Sequence, residues 1–253
     1  LAFDIRFAYP TGGHCDDACD WNKDHLHSTM LVSQDKNSAV LKRTIDETVY
    51  FVMLRWQGTA KLKQKGKNFY QLQSKSADLK LTCEYAEQVS SVSKTFAEVA
   101  DAAKVYWNRY WQKGAMVDFG QCKDPRAQEM ERRVVLSQYL LAIQDAGETP
   151  PQETGLTYNS WFGKFHLEMI LWHQAQFALW GHPELLERSL SWYFKAEPNA
   201  RKIAQRQGFK GVRWMKMTDP GAGEAPSSVV SFLIWQQPHL IYLAELLYRA
   251  NPS

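Results

Sequence analysis

Leu79-Lys80-Leu81-Thr82-Cys83-Glu84-Tyr85 alternates apolar with polar residues, but from Ser93 onward the apolar positions become Phe96, Val99, Ala100, Ala103, Tyr106, Trp107, Tyr110 and Trp111. The first run has the period of a strand and the second that of a helix, so the chain changes architecture between them. Upstream, alternation recurs in Thr48-Val49-Tyr50-Phe51-Val52-Met53-Leu54-Arg55-Trp56 and in Phe69-Tyr70-Gln71-Leu72-Gln73, and Ala2-Phe3-Asp4-Ile5-Arg6-Phe7 opens the chain as a strand. Gly58 and Gly66 punctuate a hairpin along which Lys61, Lys63, Lys65 and Lys67 alternate, as a solvated strand face would. Antiparallel strands without helices between them predict a sandwich-like sheet over residues 1–88, incomplete because its first visible strand has no beginning.

Downstream the signals are helical. Ser93 is the expected cap of a first helix that Gly114 stops, and residues 89–123 read as a linker plus that helix. Asp124-Pro125 starts a second helix, which carries Val134, Val135, Tyr139, Leu140 and Ile143 and stops near Gly147. After a loop rich in Pro, Thr and Gly, a third is expected from about Phe165 to Trp180, with Gly181 beyond its end. Pro183 opens a fourth to about Phe194, Pro198 a short fifth ending at Gly208, and a sixth covers roughly Val229 to Arg249 with Pro238 breaking or bending it. Helix pairs in series predict that residues 124–253 form part of an (α/α) helical toroid, about half of a complete one. The expected fold class is therefore multidomain α and β, a partial antiparallel β-sandwich followed by part of an (α/α)6 barrel. The loop composition of Asn251-Pro252-Ser253 and the strand at the start lead us to expect a fragment or a processed chain.

Composition narrows the function. A net charge of +3 over 253 residues gives no electrostatic case for nucleic acid. No apolar run reaches the length of a membrane span, and no signal peptide is read at the start. Four cysteines (Cys15, Cys19, Cys83 and Cys122) are too sparse for a disulfide scaffold and leave the compartment open. Ten tryptophans are unusual, and seven lie between Trp107 and Trp214, so the enrichment follows the helical part.

Several segments crowd aromatic, acidic and amide groups. In Asn159-Ser160-Trp161-Phe162-Gly163-Lys164-Phe165-His166-Leu167-Glu168, an indole stands beside an amide, a histidine and a carboxylate; Glu168 and Trp172 are spaced to share a helix face. Flat apolar rings cover the C–H face of a pyranose, polar groups read its hydroxyls, and a carboxylate can protonate a glycosidic oxygen. The plainer reading is that Glu168 and His173 satisfy each other or nearby backbone. Glu153 is a weaker candidate for the same cleft. In Gly208 to Ser228, Glu224 follows Gly223 on a loop near Arg213 and Trp214, which suits a general acid or a sugar ligand, or simply a solvated glutamate. Gln236 and Gln237 can bind sugar hydroxyls or cap helix termini. Asp20, Asn22 and Asp24 have the spacing of a calcium loop without its glycine or closing glutamate, and Cys15, Cys19 and His14 lack a fourth zinc ligand, so a structural loop is preferred there and no metal or cofactor is expected. Phosphate-binding glycine loops, nucleophile elbows and dinucleotide fingerprints are absent.

On Trp161 to Glu168, on Gly208-Phe209-Lys210-Gly211-Val212-Arg213-Trp214 and on Gly223-Glu224, the chain resembles the six-hairpin glycosidases, an (α/α)6-barrel superfamily that often carries a β-sandwich before the barrel. The resemblance implies a periplasmic or extracellular enzyme with a carbohydrate substrate, with Glu168 as a subsite ligand. One position departs from it: Trp235-Gln236 stands where the phosphorylase branch carries Trp-Glu, and Gln cannot donate a catalytic proton. The expected activity is inverting hydrolysis of a glycosidic bond, with Glu224 as acid, Glu168 as the second acidic residue, and Asn159, Trp161, His166, Arg213, Trp214, Gln236 and Gln237 shaping the sugar site. The alternative is a non-catalytic carbohydrate-binding or structural module with the same aromatic cleft. The oligomeric state is not legible.

Overall fold

The computed structural model describes residues 1–11, 19–90, 94–154, 161–225 and 229–252. The chain divides into two compact units, residues 1–11 with 19–108, and the described residues from Arg109 onward. The first holds antiparallel sheets and residues 96–108 of the first helix, and five α-helices are present among the described residues of the chain.

In the first unit, β1 (Ala2–Arg6), β7 (Ala60–Gly66) and β8 (Phe69–Ser74) form a three-stranded sheet in the order β1-β8-β7. A four-stranded sheet has the order β4-β5-β6-β9, from β4 (His27–Gln34), β5 (Ser38–Ile45), β6 (Thr48–Trp56) and β9 (Leu81–Ala86). Two short strands, β2 (Tyr9–Pro10) and β3 (Cys19–Asp20), pair separately. Ile5, Leu62, Tyr70 and Leu72 from one sheet and Leu41, Val52, Leu54 and Trp56 from the other share one core, each large apolar side chain contributing about 2 kcal/mol. The expected strands at 48–56, 69–73 and 79–85 are present; β4 and β5 had no signal that was read. Lys61 and Lys63 are exposed on β7, as their alternation predicts.

Arg43 of β5 is 1% exposed in this unit. Its Nη1 donates to Thr29 Oγ1 (2.8 Å), Asn68 Oδ1 (3.2 Å) and Ser28 O (3.3 Å), and the guanidinium lies 4.6 Å from the Phe7 ring centre. Asn68 in turn donates to Asp24 Oδ1 at 2.7 Å. Asp24 is thereby engaged by Asn68, while Asp20 Oδ1 accepts the Asn22 amide in a local turn, so two of the residues with calcium-loop spacing serve protein groups instead. His14 and Cys15 lie outside the described residues.

Helix α1 (Phe96–Lys113) starts with a capping box: Glu98 N–H donates to Thr95 Oγ1 and Thr95 N–H to Glu98 Oε2. Thr95 therefore caps the helix; Ser93 is outside the described residues. Gly114 follows α1, where a Cβ would collide with the His182 ring that stacks on Tyr110 at 3.9 Å. Helix α2 (Ala127–Gln144) starts just after Asp124-Pro125, with Asp124 Oδ1 accepting the Arg126 amide.

Three boundaries differ from the sequence expectation. Phe165–His166 is not helical but a short strand, β10, paired with β11 (Met217–Thr218), and helix α3 runs only from Ile170 to Leu179. Pro183–Arg206 is one helix, α4, with Pro198 inside it rather than two helices. Its buried Leu186, Leu190, Tyr193, Ala196, Ala200 and Ile203 form a continuous stripe across the proline, and that burial outweighs a break costing about 3 kcal/mol. The last helix, α5, is His239–Ala250, so Pro238 precedes it instead of interrupting it. Gly181, at φ +85°, follows α3 as expected of a residue past a helix end. Helices α3, α4 and α5 pack on one another. Among the described residues no helix is long and apolar enough to cross a membrane.

Candidate functional site

Pairing of β10 with β11 assembles a polar cluster from three distant segments. His166 N–H donates to Pro151 O (2.9 Å) and Glu168 N–H to Lys216 O (3.2 Å), drawing the Glu153, His166–Glu168 and Lys216 segments together. The His166 side chain is 2% exposed, and its Nε2 lies 3.8 Å from Glu153 Oε2 and 3.9 Å from Glu168 Oε2. Lys216 Nζ, almost equally buried, is 3.1 Å from Glu168 Oε2 and 4.1 Å from the centre of the Trp161 ring. Trp161 adopts φ +48°, a left-handed conformation costing about 1–2 kcal/mol for a residue with a Cβ.

Burial pushes the His166 imidazole down to about 3, aided by the positive charge of Lys216 and by His173. Neither carboxylate comes within hydrogen-bonding distance, and among the described residues neither ring nitrogen has a hydrogen-bond partner. His166 is thus a neutral, unpaired imidazole near neutral pH, able to accept through one nitrogen and donate through the other. His173, also lowered by burial, donates through Nε2 to Glu153 O at 2.9 Å. It does not satisfy Glu168, whose partner is Lys216. His239 Nδ1 donates to Leu167 O at 3.1 Å, anchoring the start of α5 beside the cluster.

The other expected site residues have different surroundings. Glu224, in an isolated antiparallel bridge with Thr218, pairs with Arg206 and accepts from Ser231 Oγ at 3.3 Å. An arginine ion pair suits a carboxylate rather than a proton donor. Arg213 is buried and donates to Ser231 O at 2.6 Å. Trp214 is buried against Tyr193, ring centres 4.8 Å apart, and Trp192. Gln236 Nε2 and Gln237 Nε2 both donate to Trp214 O, and Gln237 Oε1 accepts from Trp214 N–H at 2.9 Å. These two amides clamp backbone. Asn159 lies outside the described residues.

Sequence reading brought Trp161, His166 and Glu168 into one place, gave Glu153 little weight and missed Lys216. Its one signal was a cation between apolar neighbours in Trp214-Met215-Lys216-Met217, where a lysine needs a buried partner. Phe165, on the opposite face of β10 from His166, lines a cavity of about 510 Å³ with Pro150, Pro151, Gln152 and Gly163. Among the described residues no three His, Cys, Asp or Glu side chains are grouped to hold a metal ion.

No protein-family model matches the chain, and no curated protein matches it.

Proposed function

We propose that the chain acts on glycosidic bonds by inverting hydrolysis, with Glu153 and Glu168 as the carboxyl pair. The observation that carries this reading is the convergence of both glutamates on the unpaired His166. Both carboxylates lie within 4 Å of one ring nitrogen, hence no more than about 8 Å apart, a bound that admits an inverting pair at roughly 6.5–9.5 Å and a retaining pair at roughly 5–5.5 Å alike. In the proposed step Glu168, beside Lys216, takes a proton from that water as its oxygen bonds to the anomeric carbon. Glu153 donates a proton to the departing glycosidic oxygen, and neutral His166 hydrogen-bonds a sugar hydroxyl. The acid role expected of Glu224 passes to Glu153, because Glu224 is ion-paired to Arg206. The resemblance of residues 154–168 and 208–239 to six-hairpin glycosidases supports the same chemistry, as well as the partial sandwich and (α/α)6-barrel architecture and a periplasmic or extracellular setting.

A second reading, a non-catalytic carbohydrate-binding module, is favoured by Gln236, whose amide is committed to the Trp214 and Leu233 carbonyls. Turnover of a panel of aryl glycosides and oligosaccharides by Glu153→Gln, Glu168→Gln and Glu224→Gln separates the readings. The first two variants are expected to lose about 10²–10⁴-fold in kcat and the third to stay near wild type. The reverse pattern returns the acid role to Glu224. A wild type that binds glycans without cleaving any establishes the second reading.

A further inference from the structure

Trp161, the indole that sequence reading places against a sugar, has the Lys216 ammonium over its ring and packs against the buried Ile203, Met215, Met217, Ala225 and Val230. Trp214 is buried as well. Two other tryptophans behave differently. Trp172, in the first turn of α3, is 53% exposed, and Trp235, just before α5, is 39% exposed. Their ring centres are 5.0 Å apart at 71°, and both rings pack edge-on to buried His239, at 6.2 and 5.4 Å. Three mutual contacts fix the indoles, and an edge-to-face pair cannot cover all its own faces, so part of this rigid aromatic surface stays open.

The platform is tied to the carboxylate cluster through His239. His239, on which both rings rest, hydrogen-bonds Leu167 O, the residue before Glu168, and its ring feels the Glu168 charge. Next to a site that handles one sugar ring, a fixed indole surface stacks on the C–H face of a neighbouring one.

Resting on the glycan reading of Glu153, His166 and Glu168, we propose that Trp172 and Trp235 form an outer subsite, so that the ligand is an oligosaccharide or polysaccharide of at least two units rather than a monosaccharide derivative. Stacking is chosen over a protein partner because both indoles rest on His239, which hydrogen-bonds the residue next to Glu168.

Isothermal titration of the intact chain with gluco-, xylo- and manno-oligosaccharides of one to five units tests this. Wild-type affinity is expected to rise with chain length in one series. Trp172→Ala and Trp235→Ala each lose about tenfold on the longer members and nothing on the monosaccharide. Trp172→Phe and Trp235→Phe retain most of the binding, which separates loss of stacking from loss of fold. Phe232→Ala, at a side chain 80% exposed, serves as the control and changes nothing. Unchanged chain-length dependence in the double alanine variant overturns the subsite while leaving the inner cluster as the glycan site. A wild type that binds none of these sugars removes both.

Discussion

Arg43 in the β unit and His166 in the helical unit are buried to the same extent, each 1% exposed, yet they are treated in opposite ways. Arg43 is the costlier group to bury, and it is surrounded by acceptors from Thr29, Asn68 and Ser28, with the Phe7 ring against its guanidinium. His166 is easier to satisfy, yet among the described residues neither ring nitrogen has a hydrogen bond, with two carboxylates held just out of reach. A buried polar group that is fully paired specifies a fold. One left unpaired costs about 1–3 kcal/mol, a cost that a ligand hydroxyl can offset by supplying the missing bond.

The sharpest way to break this comparison is to remove each group in turn. Arg43→Leu removes the donor to Thr29 Oγ1, Asn68 Oδ1 and Ser28 O, leaving only the Thr29–Asn68 bond between those two side chains, and we expect a loss of about 3 kcal/mol in urea denaturation monitored on the β unit. A loss under 1 kcal/mol would mean that the Arg43 network adds little to the fold. The next effect is pH dependence. Burial holds the folded-state pKa of His166 down at about 3, against 6.5 for a free imidazole, so its neutral form is favoured by folding. The corresponding stability is fully present above pH 6.5 and is lost as pH falls toward 3, on the order of 2 kcal/mol by pH 5. His173, His182 and His239 are lowered by burial in the same sense and add to the slope. Denaturation at pH 7.5, 6 and 5 checks this, and a flat profile would mean that these rings are hydrated. Smallest of all is the effect of His166→Phe on stability. Replacing an unpaired imidazole by an apolar ring of similar shape should change stability by less than about 1 kcal/mol at pH 7.5 and flatten the acid loss, while abolishing glycan binding at the inner site. A large destabilisation at neutral pH would place His166 with Arg43, as a structural group.

Legibility followed local pattern strength. Strand β5 escaped reading because Arg43 occupies an inward position after Ala39 and Leu41, so the apolar alternation breaks where burial continues. Thr95 and Glu98 spell a capping box, a signal stronger than Ser93 for the start of α1. Pro198 looked like a helix start because local propensity says nothing of the apolar stripe that carries α4 past it. Glu153, His166 and Lys216 come from separate segments joined by a ladder two residues long and by the single bridge of Gln152 with Phe165, too short to read from sequence.

The sequence by itself determined the order of the architecture, sheets first and helices after, because hydrophobic period is a local property carried by every few residues. It also determined which segment holds His166 and Glu168. Only the tertiary structure decided which acids and indoles meet: Glu153 and Lys216 enter the site, Glu224 pairs with Arg206, Trp214 becomes core, and Trp172 and Trp235 stay open. Those outcomes depend on burial and on charge pairs between residues distant in the chain, energies that no local window contains.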